Sequence, residues 1–383
     1  MNILFVNHMG LLGGGEKSMI ALMRGLRGLR DGGCHRIMLM SPEGDLCAQA
    51  RNEGFTVFPY PFTGIRRTFN PFDQITGLVG FWRGVASIDR IIASYSIAII
   101  HANSLKSAVI GGLAARRAKS KVIFHARDFL SAGLLSRPLI AWAYRLSANI
   151  IVNSQAVAGV LGSDPDHKVT VVYNAIDVPA PPSYEQRHQL RAANGILRDA
   201  PLIGYVGRLH PQKGIETLLD GFSIILGSFA NAWLWIAGGT LPGEEKYLDH
   251  LKRRARNIGM ADRTIFFGWR SDAIELMSCL DVLVLPSQKE PFGRVTVEAM
   301  LLGVPVVATA SGGTLEIIDD GQTGLLFPPG DSRRLAEAVM RLISDRTLTE
   351  RLTERAKQEA AHRFSREQYI GGVEKVYDSL AGK

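Results

Sequence analysis

DVLVLPSQKEPFGRVTVEAMLLGVPVVATASGGTLEIIDDGQTGLLFPPG, residues 281–330, is the stretch on which the fold turns. Its continuous apolar run, Val282-Leu283-Val284-Leu285, suits a strand buried on both faces. Pro286-Ser287 closes that strand, and a short polar loop carries Glu290. Phe292-Gly293 leads into a helical pattern over Arg294–Leu302, stopped by Gly303, and Pro305–Ala308 reads as the next strand. The unit is strand-loop-helix-strand. It gathers two carboxylates and two glycines at the carboxyl end of a parallel strand, where open α/β sheets bind ligands.

The same alternation extends in both directions. Upstream of the linker, strands are expected at Asn2–Asn7, Arg36–Met40, Thr56–Tyr60, Ser96–His101, Lys121–His125, Asn149–Val152 and Val169–Val172. Helical patterns at Glu16–Leu26, Lys106–Ala118 and Pro138–Leu146 lie between them. Pro179, Pro181 and Pro182 mark a hinge, and a polar helix follows. Strands then restart at Leu202–Val206, Ala232–Ala237, Thr264–Phe267, Asp281–Leu285, Pro305–Ala308 and Gly324–Phe327. The tail from Asp331 is helical, broken near Phe364-Ser365, with a last helix from Ser365 to Leu380.

The fold class expected is therefore α/β: two Rossmann-like, doubly wound parallel-sheet domains facing across a ligand cleft. The boundaries expected are 1–178 for the first domain, 179–200 for the hinge and the start of the second, 201–364 for the second, and 365–383 for the last helix.

A chain of 383 residues suits two cores rather than one. Its net charge of +8 is unevenly placed. Residues 1–180 carry 19 Lys and Arg against 11 Asp and Glu, whereas the remainder carries 25 of each. An anionic partner for the first half follows, such as a membrane surface, a phosphorylated lipid or an acidic glycan; a mildly basic solubilising surface is the alternative. Nucleic acid is not expected, because no basic helix or aromatic RNA-binding motif is present.

Cys34, Cys47 and Cys279 are scattered without metal-ligand spacing. With a strand at the very start and no apolar run of roughly 18 residues, the expectation is a cytoplasmic protein, with peripheral attachment at the inner membrane face left open. Tyr60–Phe72, which mixes aromatics with Arg66 and Arg67, is either an interfacial membrane contact or an ordinary loop.

Three loops carry chemistry. After the first strand of the second half, Gly204, Gly207, Arg208, Lys213 and Gly214 place two cations at a strand end beside glycines that let an anion approach. A diphosphate suits them, since Arg forks onto phosphate oxygens and Lys adds a point charge; a solvated surface loop is the alternative. The second loop is Glu290–Gly293 itself. It aims backbone N–H groups at an anion from the start of the Arg294 helix, with Glu298 one turn inside to meet a ribose diol. The third, Gly13-Gly14-Gly15-Glu16, is not a GxGxxG fingerprint and serves equally as a flexible turn or as a ligand loop. His125 is the preferred reaction-centre contact, with His101 the alternative. Asp164-Pro165-Asp166 matches an Asp-x-Asp metal motif but reads as a turn, so no metal is expected.

Gly207-Arg208 with Lys213-Gly214, Pro286-Ser287, Glu290-Pro291-Phe292-Gly293 with Glu298-Ala299-Met300, Gly303–Ala308 and Gly321–Gly324 resemble family four of the retaining glycosyltransferases, which have the GT-B fold. The resemblance covers residues 201–330 closely. In the first half it rests on the Gly-rich loop, Ile151–Ser154 and Tyr173–Asp177, where Ala175 replaces a glycine of the family pattern.

The resemblance implies a nucleotide-diphosphate sugar in the second domain, carried as UDP- or GDP-sugar, and a glycan or lipid-linked acceptor in the first. No cofactor or metal is implied. Glu290, His125, Arg208 and Lys213 would be catalytic. Gly14, Gly15, Gly207 and Gly268 would join Arg208 and Lys213 around the donor. Phe292, Gly293, Arg294, Val295 and Glu298 would complete its binding. The last helix would cross back onto the first domain. Two rivals share the architecture: a nucleotide-sugar epimerase and a non-catalytic partner subunit.

Overall fold

The structure, a computed structural model, describes residues 1–28, 35–60, 71–129, 136–162 and 164–381, without the side chains of 71–75, 136 and 381. Cys34, Arg66 and Arg67 lie outside the described residues. The chain forms two compact units, residues 1–175 with 366–383, and residues 176–365. Among the described residues no helix is long and apolar enough to cross a membrane.

The first unit holds strands β1 (Asn2–Val6), β2 (Arg36–Ser41), β3 (Thr56–Pro59), β4 (Ile99–Ala102), β5 (Lys121–Ala126), β6 (Asn149–Val152) and β7 (Val169–Val171). All are parallel, in the order β3-β2-β1-β4-β5-β6-β7. Between them run α1 (Gly14–Gly28), α2 (Asp45–Asn52), α3 (Pro71–Tyr95), α4 (Leu105–Ala115), α5 (Ser136–Leu146) and α6 (Gln155–Leu161). Alternate side chains of β1 point to opposite faces, as the pleat requires. Ile3 and Phe5 join the core with α1 and α2, while Leu4 and Val6 join the one with α3 and α4. Ser104 and Ser154 cap α4 and α6 by accepting the N–H groups of Ser107 and Val157.

The second unit opens with α7 (Tyr184–Ala193), started by a Ser183/Gln186 capping box. Arg191 ties this helix to the new sheet through Asp281 at 3.1 Å. The sheet is β8 (Leu202–Val206), β9 (Trp233–Ala237), β10 (Thr264–Gly268), β11 (Val282–Leu285), β12 (Val306–Thr309) and β13 (Leu325–Phe327). It too is parallel, in the order β10-β9-β8-β11-β12-β13. Helices α8 (Ile215–Ser228), α9 (Glu245–Asn257), α10 (Ala273–Ser278), α11 (Arg294–Leu302), α12 (Thr314–Ile317), α13 (Ser332–Ser344) and α14 (Arg346–Arg363) complete it. The tail breaks once more than its helical pattern suggests. Asp345 accepts the Leu348 N–H and starts α14 as a separate helix.

The last helix, α15 (Arg366–Ala381), belongs to the first unit. Tyr369, Ile370, Val373 and Tyr377 sit in its core beside Met19, Leu22 and Leu26. In both sheets strand order reverses direction at one point, between β1 and β4 and between β8 and β11. Loops diverge there and leave a crevice at the carboxyl ends of the strands. Those two points position everything below.

Because Val373 is fully buried, Val373→Asp strands an unpaired carboxylate in the first unit's core and is expected to lower stability by about 4 kcal/mol or more. Thermal unfolding followed by circular dichroism checks this. A wild-type midpoint would contradict the placement of α15.

Candidate active site

At the switch point of the second unit, β8 ends in Gly207-Arg208 and β11 in Pro286-Ser287. The loop after β8 descends through a single 3-10 turn, Pro211–Lys213, to Gly214. Gly214 has φ +65, and a Cβ there would lie 2.1 Å from the Pro286 carbonyl oxygen, so only glycine lets the two loops touch. The Gln288 N–H donates to the Gln212 carbonyl at 2.9 Å, and the Glu290 carbonyl accepts the Gly313 N–H at 2.7 Å.

These contacts bring Lys213 and Glu290 together across 77 residues, with Nζ 2.7 Å from Oε2. Glu290 is 8% exposed. It is thus a buried, paired carboxylate. Glu298 is paired as well: Arg294, one turn earlier on α11, donates to it at 3.1 Å. Each glutamate of the 290/298 pair therefore has its own cation.

Arg208 is different. It is half-buried and forms no salt bridge among the described residues. Its backbone is pinned where the Tyr205 hydroxyl donates to its carbonyl at 2.8 Å. Burial pushes the Tyr205 phenol up, and the nearby Glu290 carboxylate adds to this while Arg208 opposes it. Arg208 and Glu290 thus share one electrostatic environment. Gly207 and Gly268 meet there through Gly238, whose N–H donates to the Gly268 carbonyl at 2.8 Å. With φ +143, Gly238 packs so closely that a Cβ would lie 1.8 Å from the Gly207 oxygen.

Helix α11 opens at Gly293, in the left-handed region, with no side chain capping it. Its first amides, beginning at Arg294 and Val295, give an anion a natural seat. Phe292 contributes packing, since its ring is buried against Phe364 at 5.6 Å. Two hydroxyls join the site, Ser287 from the Pro286-Ser287 motif and Thr296 without a signal in the sequence. Ser287 and Thr296 are buried, and their oxygens have no partner among the described residues.

In the first unit the switch point is built around Arg127, just after β5. Its Nε donates to Asn103 at 2.6 Å, and its Nη atoms to Asn174 at 2.5 Å and Tyr369 at 2.7 Å. Gly15 lies against its side chain, with a notional Cβ 3.4 Å from Cδ, and Gly14 begins α1. A fourth polar contact decides a protonation state. Arg127 Nη2 lies 3.2 Å from His125 Nδ1 and can only donate, so Nδ1 accepts and the imidazole proton sits on Nε2. His101 Nε2, 3.0 Å away, then donates to the same Nδ1, and His101 Nδ1 accepts from Tyr377 Oη at 2.7 Å. His101 and His125 are thus successive members of one hydrogen-bonded chain.

His125 ends that chain with a buried Nε2–H that has no partner among the described residues. Burial, then the Arg127 charge, pushes both histidines well below the usual range, so both are neutral at pH 7. Asn103, Tyr369 and Tyr377 escaped the sequence reading, in which Arg127 stands out only as a polar neighbour of His125 and Asn174 only within Tyr173–Asp177. Asn103 and Arg127 follow adjacent strands directly and were findable; the tyrosines, some 240–280 residues away along the chain, were not.

Asp164 accepts from the Tyr144 hydroxyl and from the N–H groups of Lys168 and Val169, which makes it a turn staple. Among the described residues no group of three or more His, Cys, Asp or Glu side chains is placed to hold a metal.

Comparison with known proteins bears on family and fold. Residues 12–179 match the family model described as Glycosyltransferase Family 4, and residues 186–359 match Glycosyl transferases group 1. The crystal structure of Anabaena HepE in complex with UDP superposes with a TM-score of 0.85 at 27% identity, over 99% of this chain and 100% of that one. Each half of the chain thus matches a glycosyltransferase family model, and the fold is GT-B.

Among curated relatives, the lipopolysaccharide core biosynthesis glycosyltransferase LpsE of Rhizobium meliloti is 35% identical over 169 residues, 44% of this chain and 47% of that protein. N-acetyl-alpha-D-glucosaminyl L-malate synthase of Bacillus anthracis is 28% identical over 215 residues, 56% of this chain and 54% of the relative. The chain spans about half the length of these curated relatives.

Neutral buried histidines link stability to pH. With folded values depressed below the unfolded 6.5, their contribution is complete above pH 6.5 and is lost as pH falls below it. The unfolding midpoint is expected to drop between pH 6.5 and 5, and to drop less in His125→Gln. Identical slopes for the two proteins would exclude His125 as a source.

Proposed function

We propose that the protein transfers a glycosyl group, with retention, from a nucleotide-diphosphate sugar held by the second unit to a hydroxyl of a glycan or lipid-linked acceptor held by the first. The observation that carries this is the convergence, at one strand edge, of Arg208, the Lys213–Glu290 pair and the uncapped start of α11. Support for the donor class comes from HepE, which is 27% identical over nearly its whole length and was crystallised with UDP-glucose. UDP is accordingly the favoured nucleotide, and Glu298 the ribose contact.

The chemistry follows from charge. As the bond between the anomeric carbon and the diphosphate oxygen breaks, its electron pair stays on the diphosphate. Arg208, Lys213 and the first amides of α11 stabilise that developing charge, which makes a metal unnecessary. The acceptor hydroxyl forms the new bond from the same face and gives its proton to the departing phosphate oxygen. Glu290 holds sugar hydroxyls and keeps Lys213 in place. The neutral His125 offers its Nε2–H to the sugar as a donor; it is not a base.

Lys213→Ala and Glu290→Ala are each expected to cut kcat about 10²–10³-fold, the scale for loss of a transition-state donor, with an unchanged circular dichroism spectrum. Because the two act as one pair, the double variant is expected to be little worse than either single. Full activity in either single variant would refute the site.

Activity is also expected to persist in EDTA. Absolute dependence on added Mn²⁺ would refute the metal-free assignment. Conversion of the nucleotide sugar without any acceptor would instead identify an epimerase.

A further inference from the structure

The two helical layers of the first unit have different surfaces. Eight large apolar side chains of this unit are exposed among the described residues, and two of them, Met9 and Leu11, lie in the loop after β1. The other six are Leu78, Val79 and Trp82 on α3, Leu139 and Trp142 on α5, and Val160 on α6. All six fall in the layer that packs on the Leu4/Val6 face of the sheet. The opposite layer, α1, α2 and α15, has none among its described residues.

Charge divides the same way. Residues 71–120 and 136–161 carry eight Lys and Arg, including Arg83, Arg90, Arg137 and Arg145, against two acids, Asp73 and Asp89. That layer with the turn after α4 therefore carries a surplus of six positive charges.

We infer that the α3–α5 layer is a docking surface for an anionic lipid bilayer. Trp82 and Trp142, 56% and 51% exposed, present rings that suit the headgroup boundary, where one edge is apolar and the other wet. Arg83 follows Trp82 directly, and Arg145 is three residues after Trp142, so each ring has a cation to meet lipid phosphate. A protein partner of ordinary composition would leave the surplus of six positive charges unanswered; an anionic lipid surface answers it.

The placement is directional. In a parallel sheet each helix begins at the strands' carboxyl edge, and Leu78, Val79 and Trp82 lie in the first half of α3, with Leu139 and Trp142 in the first seven residues of α5. The apolar side chains thus gather toward the edge that carries His125 and Arg127. If the transfer reading holds, an acceptor anchored in the bilayer would be presented there. Docking itself does not depend on that reading.

Co-sedimentation of the full chain with phosphatidylglycerol-rich vesicles, against pure phosphatidylcholine vesicles, tests the surface without any turnover. Binding to the anionic vesicles alone is expected, weakening as salt is raised. Trp82→Ala/Trp142→Ala should weaken it about tenfold or more. Arg83→Gln/Arg145→Gln should weaken it about twentyfold, whereas Lys375→Glu, on α15 in the opposite layer, should leave it unchanged. Circular dichroism of each variant confirms that it is folded.

Absence of binding at low salt overturns the inference, as does an equal loss in Lys375→Glu. Self-association in sedimentation velocity that the tryptophan variant abolishes, with no vesicle binding, also overturns it and makes the layer a contact between copies.

Discussion

One ion pair holds the second unit's active edge together. Lys213 and Glu290 arrive on loops from two adjacent strands, and their 2.7 Å contact exists only because Gly214 lets those loops touch. A carboxylate as buried as Glu290 needs a partner, since an uncompensated buried charge costs several kcal/mol. Lys213 is that partner, and Arg208 beside it is left as a cation free of salt bridges among the described residues. The edge is thereby preorganised for an anion: one positive charge is balanced and fixed in place, and another is available. The start of α11 adds amide dipoles at no cost in reorganisation.

The first unit solves a different problem with the same architecture. Its switch point is filled by a network of neutral donors and acceptors around a single buried-side cation, Arg127. Because arginine can only donate, it dictates the tautomer of His125 and, through it, that of His101. Tyr369 and Tyr377 come from the last helix. A segment at the far end of the chain therefore supplies hydrogen-bond partners to the arginine and the first histidine of this network. This gives α15 a chemical role besides its packing in the core.

Much of this was legible in the residue order. Both sheets, their strand counts, the strand-end placement of Arg208, Lys213, Glu290 and His125 and the helical placement of Glu298 follow from short apolar runs punctuated by glycine and proline. Ends drifted by one to three residues, as at β4, where the apolar pattern extends over Ser96-Ile97-Ala98 but pairing begins at Ile99. The break at Asp345 was missed because a capping aspartate inside a helical pattern resembles any exposed polar position. The aromatic and basic residues on α3 and α5 were invisible as a surface, because helical spacing does not say which layer of the sheet a helix will join.

Local pattern decided what the sequence could decide alone: period-two and continuous apolar runs, helix starts and stops, and residue types suited to a diphosphate at strand ends. These depend on neighbours a few positions apart, so they are written in the order of residues. Tertiary structure decided the pairings, namely Lys213 with Glu290 over 77 residues, Arg127 with Tyr369 over 242, and His101 with Tyr377 over 276. Hydrogen bonds and ion pairs act over about 3 Å of space, whatever the separation along the chain, and only the folded chain brings such distant groups within that reach.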